Sequence, residues 1–395
     1  MWRLGFFFHE MAFGILSIFL PLYVVSIGGS LLDIGVMTST ALFLAIPASF
    51  FWGYICDKTK RYKRYILISF LFSSALLYLF TLANSISLLI VLYLIMAVFH
   101  VAHEAPKNVL IAELYSREEW EKAFALYEWF TEIGWLVGLI LGTFVSFVGF
   151  NSNTTLLICS SLNFLAFILS LFLVVDPILV FERGLVGIEK SVDFTYKGIT
   201  IASKILDGFS TCESLTRENL YAFCGGLVLF SLATSTLFTP LPIFFSSTLH
   251  LTTSMVFAVY VLNSSAGVVG YFLASDKLEP QEEKKRLRKT VLFRSILAFM
   301  LTAFAISGFQ TAFLAALVLA LMGFAYALYH VYVLSLSMEL IPAGKAGLFD
   351  VLVSLGGAGG AFIGPFTAQT FGFISVFFMS GVTFFLAYIA FKLSS

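Results

Sequence analysis

An all-α membrane protein, with twelve transmembrane helices arranged as two pseudo-symmetric halves of six, is the fold class that this 395-residue sequence predicts. Three observations carry the prediction. Hydrophobic residues make up 59% of the chain and charged residues only 12%, more apolar surface than a water-soluble core can hide. The apolar residues fall in twelve segments of roughly 20 residues, each long enough to cross about 30 Å of hydrocarbon as a helix. Threaded back and forth, those segments place all 23 Lys and Arg residues on one side: at Arg3, within 58–64, 107–122, 183–217 and 277–294, and at Lys345 and Lys392. The opposite connections (28–32, 83–87, 149–154, 246–252, 308–311 and 368–373) contain neither residue. The positive-inside rule then puts both termini in the cytoplasm, in a multi-pass protein of the cell membrane.

Helix 1 is expected over residues 4–27; it starts almost at Met1, carries His9 and Glu10 and lacks a small-residue cleavage site, so it reads as a span rather than a removable signal. Helices 2 to 6 follow at 33–55, 65–82, 88–111, 122–148 and 155–175. The longest polar interval, 176–219, is the expected cytoplasmic central loop and divides the chain into halves at 1–175 and 220–395. Helices 7 to 12 are expected at 220–245, 253–274, 290–307, 312–337, 348–367 and 374–392. The four cysteines, Cys56, Cys159, Cys212 and Cys224, show no paired spacing for a disulfide or a metal knuckle and read as packing residues. Loops this short leave no room for a soluble catalytic domain, and a net charge of zero with every cation on one membrane face gives no reason to expect nucleic acid.

The halves resemble each other. Pro21-Leu22 matches Pro240-Leu241, and Gly53-Tyr54 with Asp57-Lys58 matches Gly270-Tyr271 with Asp276-Lys277. Glu113-Leu114 matches Glu339-Leu340, and the glycines Gly134, Gly138 and Gly142 recur as Gly356, Gly360 and Gly364. These markers fall in the same order in both halves, the mark of an internal duplication. Two sets of six helices related by an axis along the membrane normal are the plan of a secondary transporter.

The stretch GYICDKTKRYKR at 53–64 is similar to the signature of the major facilitator superfamily, which the chain resembles over nearly its whole length. The resemblance implies alternating access to a small-molecule substrate, with a gating motif of Gly53, Asp57, Arg61 and Arg64. Gly53 would permit close helix contact, and Asp57 would lie near the start of helix 11, where a helix N-terminus favours an anion. Arg61 and Arg64 would pin the loop to the cytoplasmic surface. In the family this cluster locks the halves together in the outward-facing state. Lys60 stands where the signature has a second glycine, and the helix 4 arginine common in drug and proton antiporters is absent. The resemblance also sets helices 5 and 11 between the halves, so the glycine ladders read as close packing at a sliding interface.

The sharper signal is acidic. Glu10 lies in helix 1, His100, His103 and Glu104 in helix 4, and Glu128 and Glu132 in helix 5; spacings of three and four put each group on one stripe. A charged residue at membrane depth costs at least about 2.5 kcal/mol on insertion scales and usually faces a cavity or a partner. With the basic residues assigned to loops, no embedded cation is expected beside these carboxylates, and protonation is the remaining way to lower their cost. Glu132 and Glu104 are therefore the leading proton-coupling candidates, with Glu10, Glu128, His100 and His103 behind them. Glu10 and Glu128 lie near enough to helix ends for solvation to account for them, and both histidines are open to a packing role. A metal held by His100 and Glu104 lacks a third ligand. In the second half the polar groups are Tyr326, Tyr329 and His330, with Thr234 to Thr236 and Asn263, the candidates for lining a substrate cavity.

No GxxxxGK[ST] phosphate loop occurs, so the expected energy source is an ion or substrate gradient. HVAHE lacks the order of HExxH and GxSxG is absent, which argues against an enzyme, and no cofactor is expected. Few embedded amides disfavour a sugar, and the expected lack of a buried Arg or Lys disfavours an anion. The combined expectation is a monomeric carrier exporting a cationic or neutral amphipathic compound against protons. Uptake symport or facilitated transport of a small metabolite is the alternative.

Overall fold

A computed structural model describes residues 2–115, 120–176, 217–273, 280–307, 312–340 and 347–394. Among these residues, twelve helical spans are long and apolar enough to cross a membrane, and no strand occurs. In chain order they are α1 (Leu4–Ser26), α2 (Leu31–Thr59), α3 (Tyr62–Phe80), α4a (Ile86–His100) with α4b (Glu104–Leu114), α5 (Trp120–Val148) and α6 (Ser152–Leu173). The second set is α7 (Arg217–Phe238), α8 (Thr253–Leu273), α9 (Pro280–Ser307), α10 (Ala312–Leu340), α11 (Gly347–Phe371) and α12 (Phe373–Leu393). Residues 177–216 of the central segment, Cys212 among them, and Asp276, Lys277 and Lys345 lie outside the described residues. Cys56, Cys159 and Cys224 are buried and form no disulfide among the described residues.

Short polar side chains start several helices by satisfying free amides. Ser30 and Asp33 form a reciprocal capping box at α2, and the side chains of Ser85 and Asn151 accept from Leu88 and Thr154 at α4a and α6. Three expected spans need correction. Helix 4 is not continuous: Pro106 has no N–H to offer the Ala102 carbonyl, and the chain tightens into a 3-10 turn at Val101–His103 before resuming as α4b. Helix 7 ends at Phe238 rather than 245, because Pro240 and Pro242 also lack donors; the chain continues through Leu241–Ile243 and a π-turn at Phe244–Thr248. Helix 9 begins at Pro280 rather than 290, so a charged run read as loop is helical, with Lys285 bonded to Glu282 across one turn.

Packing repeats between the halves. α1 lies against α5 and α6 as α7 lies against α11 and α12, and α2 lies against α4a as α8 lies against α10. The halves meet through α2 on α11 and through α8 on α5, two contacts that exchange under the same pseudo-symmetry. A buried hydrogen bond repeats too: Ser74 donates to the Ser160 carbonyl between α3 and α6, and Ser295 donates to the Gly381 carbonyl between α9 and α12.

The glycine ladders do not lie mainly between the halves. A methyl group at Gly134 or Gly138 would strike the α1 backbone at Phe7 or Met11, and one at Gly360 or Gly364 would strike the α7 backbone at Leu232 or Thr236. They lock helices within one half; only Gly142 faces across, onto the Phe257 ring of α8. At the end carrying the Lys- and Arg-free connections the halves close on each other. Tyr23, Ile34, Phe244 and Phe257 share one buried core there, and the Leu32 N–H donates to Gln369 Oε1 at 2.8 Å.

Candidate functional site

Three first-half helices converge on a cavity of about 120 Å³ lined by Glu10, Glu104, Lys107, Glu128 and Glu132 together with Tyr127, Thr131 and Trp135. α1 supplies Glu10, the interrupted fourth helix supplies Glu104 and Lys107, and α5 supplies the remainder. The four expected carboxylates are thus brought together. Glu104 opens α4b, where unpaired amides favour an anion. Its carboxylate accepts from Lys107 Nζ, and the same ammonium lies 3.9 Å from Glu128. Glu10 and Glu132 form no ion pair among the described residues.

Behind the cavity lies a chain of imidazoles. Asn163 Nδ2 donates to the Cys159 carbonyl at 3.0 Å, which turns its Oδ1 toward His9; His9 Nδ1–H then donates to that oxygen at 2.6 Å. His9 Nε2 must therefore accept, and its partner is His100 Nδ1–H at 3.1 Å. Ser69 commits its hydroxyl hydrogen to the His100 carbonyl at 2.9 Å, leaving its oxygen to accept from His103 Nδ1–H at 3.1 Å. His103 Nε2 faces Glu104 Oε1 at 3.1 Å. With Nδ1 already protonated, a neutral His103 and an ionised Glu104 would oppose two acceptors. A proton on either atom would turn that contact into a hydrogen bond.

Two of these residues escaped the sequence reading. Lys107, counted with the cytoplasmic basic residues although it falls within the expected helix 4, lies inside the fourth span with its side chain only 12% exposed, so the expectation of no embedded cation is wrong. The Glu104–Lys107 spacing of three was the available signal. His9 supplies the third imidazole that a metal site lacked, and ligand nitrogens of His9, His100 and His103 lie within 4.8 Å of one another. In this arrangement those nitrogens serve Asn163, Ser69, Glu104 and each other.

The second-half candidates do not form one cavity wall. Tyr326 is 39% exposed and stacks on His330, whose Nδ1 is 3.0 Å from the Tyr271 hydroxyl. Tyr329, expected to line a cavity, is only 5% exposed and stacks on Phe230 in the core. Asn263 spends its amide on the Leu319 carbonyl, joining α8 to α10, and the Thr234 hydroxyl is buried without a partner. The residue missed here is Arg294. Counted with the basic loop residues although it falls one turn inside the expected helix 9, it lies in the middle of α9 at 1% exposure, a second embedded cation. An ion taken out of water without a partner costs several kcal/mol.

At the expected gating motif, Asp57, Arg61 and Arg64 are exposed around the end of α2. The residues before Gly347 that Asp57 was expected to face lie outside the described residues. A methyl group at Gly53 would meet nothing within 4 Å, so close helix contact is not its role in this conformation. Lys60, in place of the second glycine, adopts the left-handed backbone that glycine favours (φ 56°, ψ 28°).

Comparison with known proteins agrees with this architecture. The sequence model of the Major Facilitator Superfamily matches residues 4–349. A curated relative, an uncharacterised MFS-type transporter of Methanocaldococcus jannaschii, is 23% identical over 369 residues, covering 90% of this chain and 85% of its own. Among solved structures, the nucleoside transporter NupG is similar with a TM-score of 0.72 at 14% identity, covering 100% of this chain and 98% of its own. The human organic anion transporter MFSD10 gives 0.70 at 14% identity, covering 99% and 97%. A bacterial homologue of the human lysosomal transporter Spinster, in an inward-facing and occupied conformation, gives 0.69 at 12% identity, covering 100% and 95%. A twelve-span chain of two pseudo-symmetric halves, matched by the family's sequence model over nearly its whole length, belongs to the major facilitator superfamily, a family of membrane transporters.

Proposed function

We propose that this transporter is proton-coupled, and that the first-half cavity is where the proton is taken up and released. The carrying observation is charge balance: four carboxylates share about 120 Å³ with a single ammonium, Lys107. Like charges crowded at membrane depth are most cheaply relieved by binding protons. Glu104 faces His103 at 3.1 Å and Lys107, while Glu10 and Glu132, without ion pairs among the described residues, are the carboxylates open to a proton.

The closed end carries the cation-free connections, so with both termini and the central segment cytoplasmic this is an inward-facing state of a monomeric carrier in the cell membrane. The sequence argument for exporting a cationic or neutral amphipathic compound rested on the lack of embedded cations, and Lys107 and Arg294 remove that support. The three solved relatives, a nucleoside transporter, an organic anion transporter and a bacterial homologue of a lysosomal transporter, share the fold and do not select a substrate. The test is a metabolite screen in proteoliposomes with and without a pH gradient. Accumulation that needs the gradient and collapses with a protonophore is expected; equal accumulation in both conditions refutes coupling. Cysteines placed at Ser30 and Thr200 test the orientation in intact cells: labelling of the second and not the first from outside refutes it.

A further inference from the structure

We propose that Arg294 is the binding site for the anionic group of the substrate, which makes this protein a carrier of organic anions with an apolar body. The proposal rests on the transporter reading above for its biological meaning, and on the second half alone for its geometry. Arg294 projects from the middle of α9 into a cage of rings from three other helices. Its guanidinium carbon lies 4.9 Å from the ring centres of Phe230 and Phe384, 5.4 Å from Tyr326 and 5.7 Å from Phe238. Its Nε and Nη1 are buried with no hydrogen-bond partner, and no acidic group among the described residues pairs with it.

Rings stabilise a cation through their faces but accept none of the guanidinium hydrogens in the way an oxyanion does. The Nε and Nη1 hydrogens are therefore present and unspent, available to an oxyanion. Phe230 and Phe384 are buried, whereas Tyr326 and Phe238 are partly exposed, Tyr326 the more open of the rings that touch the guanidinium. Rotation of Tyr326 would uncover the guanidinium. An anion entering there would have its charge met by Arg294 and its carbon body by the rings, which selects an apolar or aromatic organic anion over an inorganic one.

Thermal unfolding of the purified full-length protein in a neutral, lipid-free detergent at constant ionic strength tests the site. Phenylacetate and phenylphosphonate serve as probes, with phenylacetamide and phenethylamine as neutral and cationic counterparts. Both anions are expected to stabilise the wild type at least tenfold more potently than the amide or amine, and Arg294→Gln to weaken that binding at least tenfold while Arg294→Lys retains part of it. Equal stabilisation by the amide or amine overturns the proposal, as does undiminished anion binding in Arg294→Gln. Should that variant fail to fold, Tyr326→Ala decides: an unchanged anion affinity overturns the proposal and a change of threefold or more supports it. Stabilisation by phosphatidylglycerol alone would make this a lipid site and also overturn it. No pH gradient enters the measurement, so its failure leaves proton coupling standing, and loss of proton coupling leaves this result standing.

Discussion

The first-half histidine chain and the second-half arginine cage occupy equivalent places in the two repeats. The bonds Ser74 to Ser160 and Ser295 to Gly381 align the halves, and the same step along the chain pairs His9 with Phe230, Ser73 with Arg294 and Asn163 with Phe384. In the fourth helix of each half, the step from Glu113 to Glu339 pairs His100 with Tyr326, His103 with Tyr329 and Glu104 with His330. One scaffold thus holds two chemistries. Where α3 carries a small serine, histidines and an asparagine fill the space with a hydrogen-bonded chain; where α9 carries an arginine, aromatic rings replace them around its charge. Backbone packing fixed by the duplication has been kept while the side chains at its centre have diverged into an acidic site and a basic one.

The largest expected effect tests the acidic side. Glu132→Gln keeps shape and removes titration; pH-driven accumulation should fall at least tenfold, about 1.4 kcal/mol, while downhill exchange survives. Unchanged gradient-driven uptake in both Glu132→Gln and Glu104→Gln would end the assignment. Converting the first half toward the second comes next. His9→Phe leaves Asn163 Oδ1 and His100 Nδ1–H without their partner, at about 1–3 kcal/mol each, and adding Asn163→Leu should recover part of the loss by removing one orphaned group. A double variant less stable than His9→Phe alone would show that the chain is not the stabilising unit. Gly138→Ala, set against Gly53→Ala, should cost about 1–3 kcal/mol where the control costs none, since only the first meets a backbone. Equal melting temperatures would mean that α1 and α5 part easily. Smallest of all, Lys60→Gly should stabilise by about 1 kcal/mol by relieving the left-handed backbone, and any destabilisation would contradict the strain.

The twelve spans and the repeat were legible because hydrophobic length and charge asymmetry are properties of whole segments. The acidic cavity was legible where acids interrupt apolar helices, as at Glu10, Glu104, Glu128 and Glu132. What stayed hidden were cations at the margin between loop and helix. Lys107 opens one basic run in the sequence and Arg294 closes another, and charge alone does not say where a helix enters the membrane. Only the early start of α9 at Pro280 carries Arg294 more than three turns inside. The break at Val101–His103 was marked by Pro106, and the left-handed turn by the missing glycine at Lys60. Tyr329 could not be told from Tyr326 by sequence, because which of two tyrosines three residues apart faces the core depends on the neighbouring helix.

The glycine faces have a mechanical consequence. Bare backbone meets backbone at Gly134 and Gly138 on α1 and at Gly360 and Gly364 on α7, whereas the contact between halves is made by side chains, as at Gly35 on Pro365 and Gly142 on Phe257. Interlocked backbones resist shear, while side chains can exchange neighbours with little change in contact. Stiffness is therefore expected inside each six-helix unit and compliance between them, which is what a rocking of two rigid bodies would need. A covalent link between α1 and α5 would leave such a stroke intact, and one joining residue 32 to residue 369 would stop it with the end that carries the Lys- and Arg-free connections shut.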